Sequence, residues 1–402
     1  MSSKIATELA TSMFANGKWC LAPMVRCGTL PLRLLSLKYG ASTVWGPEII
    51  DHKLPQCTRI ENTKLGTVDF LMPNGSLCFR TKRSLEKGKL VFQLGSSSKE
   101  SAIKGAEVIA KDVDALDINM GCPKSFSIKG GMGAALLKKA DVACDIISGL
   151  KAKFPDMPIT CKIRLLDTTE ETINFCKSLE KAGAYAISIH ARSEKERPKD
   201  PARWAEIKPI VNAVNIPVLA NGDLYSHEDV ENVMKETGVS SVMIARGALK
   251  NTSMFKRDGQ LLDLHTICQD YIRFCIETEA HPINCKYVLQ YMLRMNGMLK
   301  ADIGVKLTSK KTRSMQKIAD LFDVNDIEIS NEPNPIVANP NKHKRKKVHH
   351  PNDYKHMKNR KNKKDNKGKD KVGEEEREKI VFPPTDQKYD DDYLVNKPKN
   401  EL

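Results

Sequence analysis

Between residue 18 and about residue 255 two hydrophobic patterns alternate along the chain. Short apolar runs at 18–24, 42–48, 89–94, 115–121, 158–164, 184–192, 216–222 and 240–246 read as buried strands. Between most of them lie amphipathic stretches of helical length. In 169–182, Ile173, Cys176, Leu179 and Ala182 share one face, and Gly183 follows as a stop. Near-continuous apolar strands alternating with helices specify a parallel sheet. Eight such units in roughly 240 residues predict an α/β fold of the closed (β/α)8 TIM barrel type, spanning 18–258. Residues 49–88 break the rhythm. There, 65–72 and 77–81 read as a β-hairpin around Pro73-Asn74-Gly75, an insertion of about residues 57–85 on the barrel's mouth. Strand patterns then cease. Stretches 261–279 and 284–299 and a third from about Thr308 to Phe322 predict a small all-helical domain over 259–328. Residues 1–17 are left as an N-terminal extension.

Charge changes this picture only at the C-terminal end. The chain carries a net charge of +15, unevenly spread. Residues 341–372 hold 14 Lys and Arg against 3 Asp and Glu, whereas 373–402 hold 5 against 9. Residues 329–402 therefore read as a disordered tail, basic and then acidic. Such a tail suits an RNA backbone, and a localisation element is the competing reading. No apolar stretch approaches the roughly 20 residues that cross a bilayer. The first 18 residues contain Lys4 and Glu8 and no apolar run, so neither a signal peptide nor a transit peptide is expected. The 11 cysteines form no C-x-x-C pair, which argues against a disulfide framework or a metal site and for reduced, intracellular thiols. The terminal Lys399-Asn400-Glu401-Leu402 only faintly resembles an ER-retention signal and, with no signal peptide expected, is discounted.

In such a barrel, chemistry sits at the C-terminal ends of the strands. Here those ends read Ala22-Pro23-Met24, Glu48, Gln93, Asn119 with Cys122, Lys162 with Arg164, His190 with Arg192, Asn221-Gly222-Asp223, and Ala245-Arg246-Gly247. Core-facing polar residues are costly unless satisfied, so their presence at nearly every strand end points to a ligand. Cys122 follows the strand on a loop that Pro123 forces out of the sheet; it is either an inert apolar thiol or a reacting group. The last two strand ends suit a phosphate, with Gly222 and Gly247 allowing close backbone approach and Arg246 supplying charge, unless Arg246 serves only a surface ion pair. A planar cofactor would then have Gln93, Lys162 and His190 around its ring. Lys162 could instead form a Schiff base.

Taken in order, these residues resemble the tRNA-dihydrouridine synthases, in particular the eukaryotic branch acting on position 20 of the D-loop. The motifs are Ala22-Pro23-Met24-Val25-Arg26 with Gly28-Thr29-Leu30-Pro31, Val91-Phe92-Gln93, Asn119-Met120-Gly121-Cys122-Pro123-Lys124, and the run from Lys129 to Leu137. Cys161-Lys162-Ile163-Arg164, His190-Ala191-Arg192, Ala220-Asn221-Gly222 and Met243-Ile244-Ala245-Arg246 follow, with Lys286-Tyr287 and Met292-Leu293-Arg294 beyond. The resemblance implies an FMN enzyme reloaded by NADPH or NADH. In it Pro23, Met24, Val25, Gln93, Lys162, His190, Asn221, Gly222, Asp223, Ala245 and Arg246 hold the cofactor. Hydride would pass to C6 of a flipped-out uridine and Cys122 would protonate C5, with Asn119, Arg164 and Glu48 reading the uracil. The glycine run 130–133 would let the Cys122 loop open and close. The implied partner is tRNA at its D-arm and elbow, met by a monomer in the cytoplasm, with the nucleus as a second destination if the tail directs localisation. Some animal members add a double-stranded-RNA-binding domain after the helices; here the basic tail stands in that place. The competing functions are a flavin barrel reducing a free pyrimidine and an RNA-binding barrel without catalysis.

Overall fold

In the computed structural model, which describes residues 3–329, eight parallel strands close into a TIM barrel. They are β1 (Trp19–Leu21), β2 (Thr43–Trp45), β3 (Leu90–Gly95), β4 (Ala115–Met120), β5 (Ile159–Leu165), β6 (Ala186–Ser193), β7 (Val218–Asn221) and β8 (Ser241–Ile244). Each pairs with its chain neighbour, and the ring shuts where Cys20 of β1 lies opposite Met243 of β8. Helices between the strands are cut to length by their own caps. Thr168 and Glu171 form a capping box at the start of Thr169–Ala182, and Gly183 ends that helix in the left-handed region.

The pleat of the strands separates two apolar cores. In β4, Leu116, Ile118 and Met120 join the large core beneath the helices, whereas Ala115 faces the barrel axis with Cys20, Trp45, Val91, Leu219 and Met243. The inner core is completed by the helix Lys4–Phe14, an element that the hydrophobic pattern did not announce. Its Ala6, Ala10, Met13 and Phe14 are buried, with Phe14 against Trp45 at 5.7 Å between ring centroids. Thr43 at the start of β2 donates to the Met13 carbonyl, so this helix plugs the N-terminal end of the barrel. Chemistry is left with the other end.

The insertion contains the expected hairpin, Thr67–Leu71 with Leu77–Thr81, and a third antiparallel strand, Thr58–Asn62, on its outer side. That edge strand is mostly exposed and so carries no apolar alternation to read. The helical region comprises Leu264–Glu277, Pro282–Met295, Asp302–Thr308 and Met315–Leu321. The third helix, expected from about Thr308 to Phe322, is corrected to start only at Met315, and a further short helix, Asp302–Thr308, ends where it was expected to begin. Lys286 Nζ donates to the carbonyls of Ser309 and Thr312 in the break, and Ser314 caps the second helix. The barrel and this region share one apolar core, and Lys38 and Tyr39 both donate to the buried Asp270 between them. Among the described residues no helix is long and apolar enough to cross a membrane. The charged tail lies outside the described residues from residue 330 onward.

Candidate active site

Alternation along the strands brings the polar ends to one mouth. Below it, Asp117 of β4 is fully buried and accepts hydrogen bonds from Gln93 Nε2 at 2.8 Å and Thr160 Oγ1 at 2.7 Å. Burial pushes its carboxyl up to about 6, against the pull of those two donors and of Lys162. Gln93 is thereby buried with its amide nitrogen committed downward.

One step further along β4, Asn119 organises the Cys122 loop. Its Oδ1 accepts from the backbone N–H of Gly121 at 2.9 Å and of Cys122 at 3.1 Å, and its amide hydrogen-bonds Glu48. The loop is pinned from its far side as well. Ala134 N–H donates to the Cys122 carbonyl, and Gly133 sits at φ 59° where a Cβ would stand 2.7 Å from that oxygen. Gly133 is thus a close-packing point, not a free hinge. Burial raises the Cys122 thiol to about 11, with the Glu48 charge adding to it, while the Lys124 N–H and charge work the other way. The Ser127 hydroxyl also favours the thiolate, but it is buried and its geometry completes no hydrogen bond, so its effect is small. Glu48 itself is raised to about 7, by burial first and by Asp117 in addition, against the Asn119 bond. At neutral pH Cys122 is therefore a thiol. That makes it a proton donor and a poor nucleophile.

Across the mouth the charge is positive. Lys162 is the one residue of β5 that is not buried, and His190 breaks an otherwise buried run in β6. Burial lowers the Lys162 ammonium to about 8, and Arg164 lowers it further, while Asp117 and Cys122 oppose; it stays mostly charged at neutral pH. Burial and the charges of Lys162, Arg164, Arg192 and Arg246 hold His190 well below its ordinary value. Its Nε2 lies 3.1 Å from an Arg192 N–H, which can only donate, so the proton of the neutral ring sits on Nδ1. Arg192 continues to the Asp200 carbonyl and to Asp223, and Asp223 also takes Arg246 at 2.7 Å and the Ala202 N–H at 2.8 Å. Burial alone would raise the Asp223 carboxyl, but these partners hold it below the usual range.

The structure thus gathers Glu48, Gln93, Asn119, Cys122, Lys162, His190, Asn221, Gly222, Asp223 and Arg246 around one mouth, with Pro23, Met24 and Val25 on its β1 side and Ala245 at the end of β8. Gln93, Asn119, Asp223 and Arg246 are engaged as described, and two further residues of the expected site are engaged as well. Arg164 is 4% exposed and donates to the carbonyls of Ser193 and Glu196, and Asn221 Nδ2 donates to the Met243 carbonyl. Arg192 was read at its strand end without a role, and Asp117 was not singled out, although it lies two positions from Asn119 on the same strand face; the period-2 pattern carried one step back finds it.

A family model described as Dihydrouridine synthase (Dus) matches residues 20–318, which span every strand of the barrel and most of the helical region. The chain belongs to the dihydrouridine synthase family. Over 306 residues it is 37% identical to the tRNA-dihydrouridine(20) synthase [NAD(P)+] of Schizosaccharomyces pombe, covering 74% of this chain and 63% of that protein. Over 293 residues it is 39% identical to the protein of the same name from Saccharomyces cerevisiae, covering 68% of this chain and 76% of that one. The human tRNA-dihydrouridine(20a/20b) synthase [NAD(P)+]-like is 30% identical over 248 residues, 60% of this chain and 73% of that protein. The chain therefore matches a little under two thirds of the fission-yeast protein's length.

The mouth of this dihydrouridine synthase family member fits a planar, phosphate-bearing cofactor such as FMN. Lys162 and His190 stand partly open in a buried surround, and the Arg192–Asp223–Arg246 network keeps a net positive charge beside a neutral His190. Gly222, at φ 124°, packs closely: a Cβ there would stand 3.0 Å from Ala202 Cβ and 3.2 Å from the His190 ring. Among the described residues no group of three or more His, Cys, Asp or Glu could hold a metal.

Proposed function

We propose that this protein reduces a uridine of tRNA, at position 20, to 5,6-dihydrouridine. The observation that carries this reading is a thiol kept protonated at about 11 on a loop facing a cationic barrel mouth. The chemistry FMN supplies when bound there is a hydride for C6 of the uracil, restored at the expense of NADPH or NADH. Adding hydride to an isolated uracil double bond builds enolate charge toward C5, which an acid on the opposite side must trap. Cys122 supplies that proton, and the pinned Asn119 turn keeps its sulfur in place. Lys162 would add positive charge beside the ring of the cofactor, Arg246, tied through Asp223 to the buried Arg192, would hold its phosphate, and Pro23, Met24, Val25, Gln93, Asn221, Gly222, Asp223 and Ala245 would complete its binding surface. Asn119, Glu48 and Arg164 lie where a flipped-out base would enter. The Asn119 oxygen and the Arg164 head are taken up within the protein and the Asn119 amide is turned to Glu48, so Glu48 is left as the stronger candidate for reading uracil.

The helical region supports a polyanionic substrate. In the break between its last two helices Lys310, Lys311 and Arg313 are exposed, while the carbonyls of Ser309, Lys311 and Thr312 are turned to Lys286 and Lys317. Lys286 thereby acts as a clasp, and the outward side chains carry the charge offered to RNA phosphates. The protein would act as a monomer, in the cytoplasm or with a nuclear pool. The test is direct. The purified chain, given FMN, NADPH and an unmodified tRNA transcript, should form dihydrouridine at position 20; the absence of dihydrouridine with NADPH and with NADH alike would overturn the reading.

A further inference from the structure

The geometry points to Tyr287 and Asn284, both on the helix Pro282–Met295, as positioning residues for the reacting mouth; this rests on reading that mouth as a flavin site. They hold the turn of residues 24–29, which carries Met24 and Val25 away from the end of β1.

Arg26 in that turn has φ 65°, a left-handed conformation that a long side chain adopts only when its surroundings impose it. Its guanidinium carbon stands 3.8 Å from the centroid of the Tyr287 ring, a close cation–π contact. Three residues on, Asn284 Nδ2 lies 3.3 Å from Thr29 Oγ1 and donates to it. The barrel grips the same turn from its other side. Gly28 N–H donates to the Met24 carbonyl at 2.7 Å, the buried Arg33 donates to the Gly28 carbonyl at 2.9 Å, and a Cβ on Gly28 would stand 3.1 Å from the Met24 oxygen. Cys27, between these grips, is buried in the apolar core that the barrel shares with the helical region. The turn therefore takes its position from the barrel and from the helix Pro282–Met295 together.

Asn284, Tyr287 and Tyr291 recur at helical spacing on one stripe of that helix, and the two tyrosine rings lie 6.2 Å apart. Cys285, Val288, Leu289, Met292 and Leu293 form its buried face. The same helix carries Lys286, the clasp of the basic break at 309–313. One rigid element thus joins the surface offered to RNA and the turn that borders the cofactor. Disturbing the stripe should alter cofactor binding and turnover, whereas disturbing Lys310 or Lys311 should alter RNA affinity.

The experiment uses the full chain with Tyr287→Leu, Tyr287→Phe, Arg26→Ala and Arg26→Gly. Its readouts are the FMN dissociation constant by flavin fluorescence, and kcat and KM for dihydrouridine formation on tRNA. Tyr287→Leu should weaken FMN binding about 5-fold, the scale of one partly exposed cation–π contact, and lower kcat with the tRNA KM within about twofold of wild type. Tyr287→Phe keeps the aromatic face and should restore both. Arg26→Gly, which takes a positive φ without strain, should be milder than Arg26→Ala. Wild-type FMN affinity and kcat in Tyr287→Leu, a rise in tRNA KM alone, or a Phe variant as poor as the Leu variant would each overturn the proposal. If Tyr287→Leu does not fold, Arg26→Gly decides, since it removes the same contact without backbone strain: wild-type FMN affinity and kcat in that variant overturn the proposal. Failure of the flavin reading is distinguishable, because wild type itself would then leave FMN fluorescence unchanged, and the positioning role would fall with it.

Discussion

Cys122 stays a thiol at neutral pH because its surroundings withhold the thiolate, which is what the proposed proton donor requires. A thiol raised from 9.0 to about 11 holds on the order of 100-fold less thiolate at pH 7.5 than an ordinary one. Its alkylation by iodoacetamide, followed by mass spectrometry, should be slower by about that factor than that of an exposed cysteine peptide. Because burial is the largest cause and the Glu48 charge the second, Glu48→Gln should speed alkylation only in part, and most visibly above pH 7, where Glu48 is ionised. Cys122 reacting as fast as the peptide would contradict the assignment of a buried acid. At this scale the sequence was informative about which residues meet and less so about what they do there. Strand-end position sufficed to bring Lys162, His190, Asp223 and Arg246 together. That Asp223 bridges Arg246 to Arg192, and that Arg164 is spent on the carbonyls of Ser193 and Glu196, depends on loops whose paths no periodicity encodes.

Among the elements, the strands were legible because the face each turns to the helices is apolar, as Ile159, Cys161, Ile163 and Leu165 are in β5, and the helix 169–182 because both of its caps are written in the chain. The floor helix Lys4–Phe14 was not, since two of its four inward residues are alanines, which add little hydrophobic signal yet fit the narrow end of the barrel. Its contribution is measurable. Phe14 is fully buried against Trp45, so Phe14→Ala should cost about 3–5 kcal/mol in urea unfolding. Turnover well below the melting temperature should hold, because the floor lies at the opposite end of the barrel from Cys122. An unchanged unfolding midpoint would show that this helix is an ornament of the barrel and not its floor. The late start of the last helix, at Met315 and not Thr308, has a different lesson. Residues 308–314 hold three basic and four Ser or Thr residues, good enough for a helix by charge alone, but Ser314 caps the next helix and Lys286 draws the carbonyls out of helical register.

For the whole molecule the question is how the proposed enzyme would acquire a large polyanion. Fixed charges at 310–313 belong to the folded body, and the segment 341–372 adds 14 Lys and Arg against 3 acidic residues. Deleting 341–402 should raise the tRNA KM and flatten its dependence on salt, since fewer counterions are released, while the position modified stays the same. The same affinity and the same salt slope in both proteins would leave localisation as the tail's role. The central claim is narrower: one thiol at the mouth supplies the proton that completes the reduction. It is tested most directly by measuring dihydrouridine formed on unmodified tRNA by the Cys122→Ala protein, with its bound flavin and tRNA affinity measured alongside. The account predicts near-normal flavin content and tRNA binding with little or no dihydrouridine. Product formed at close to the wild-type rate would contradict it.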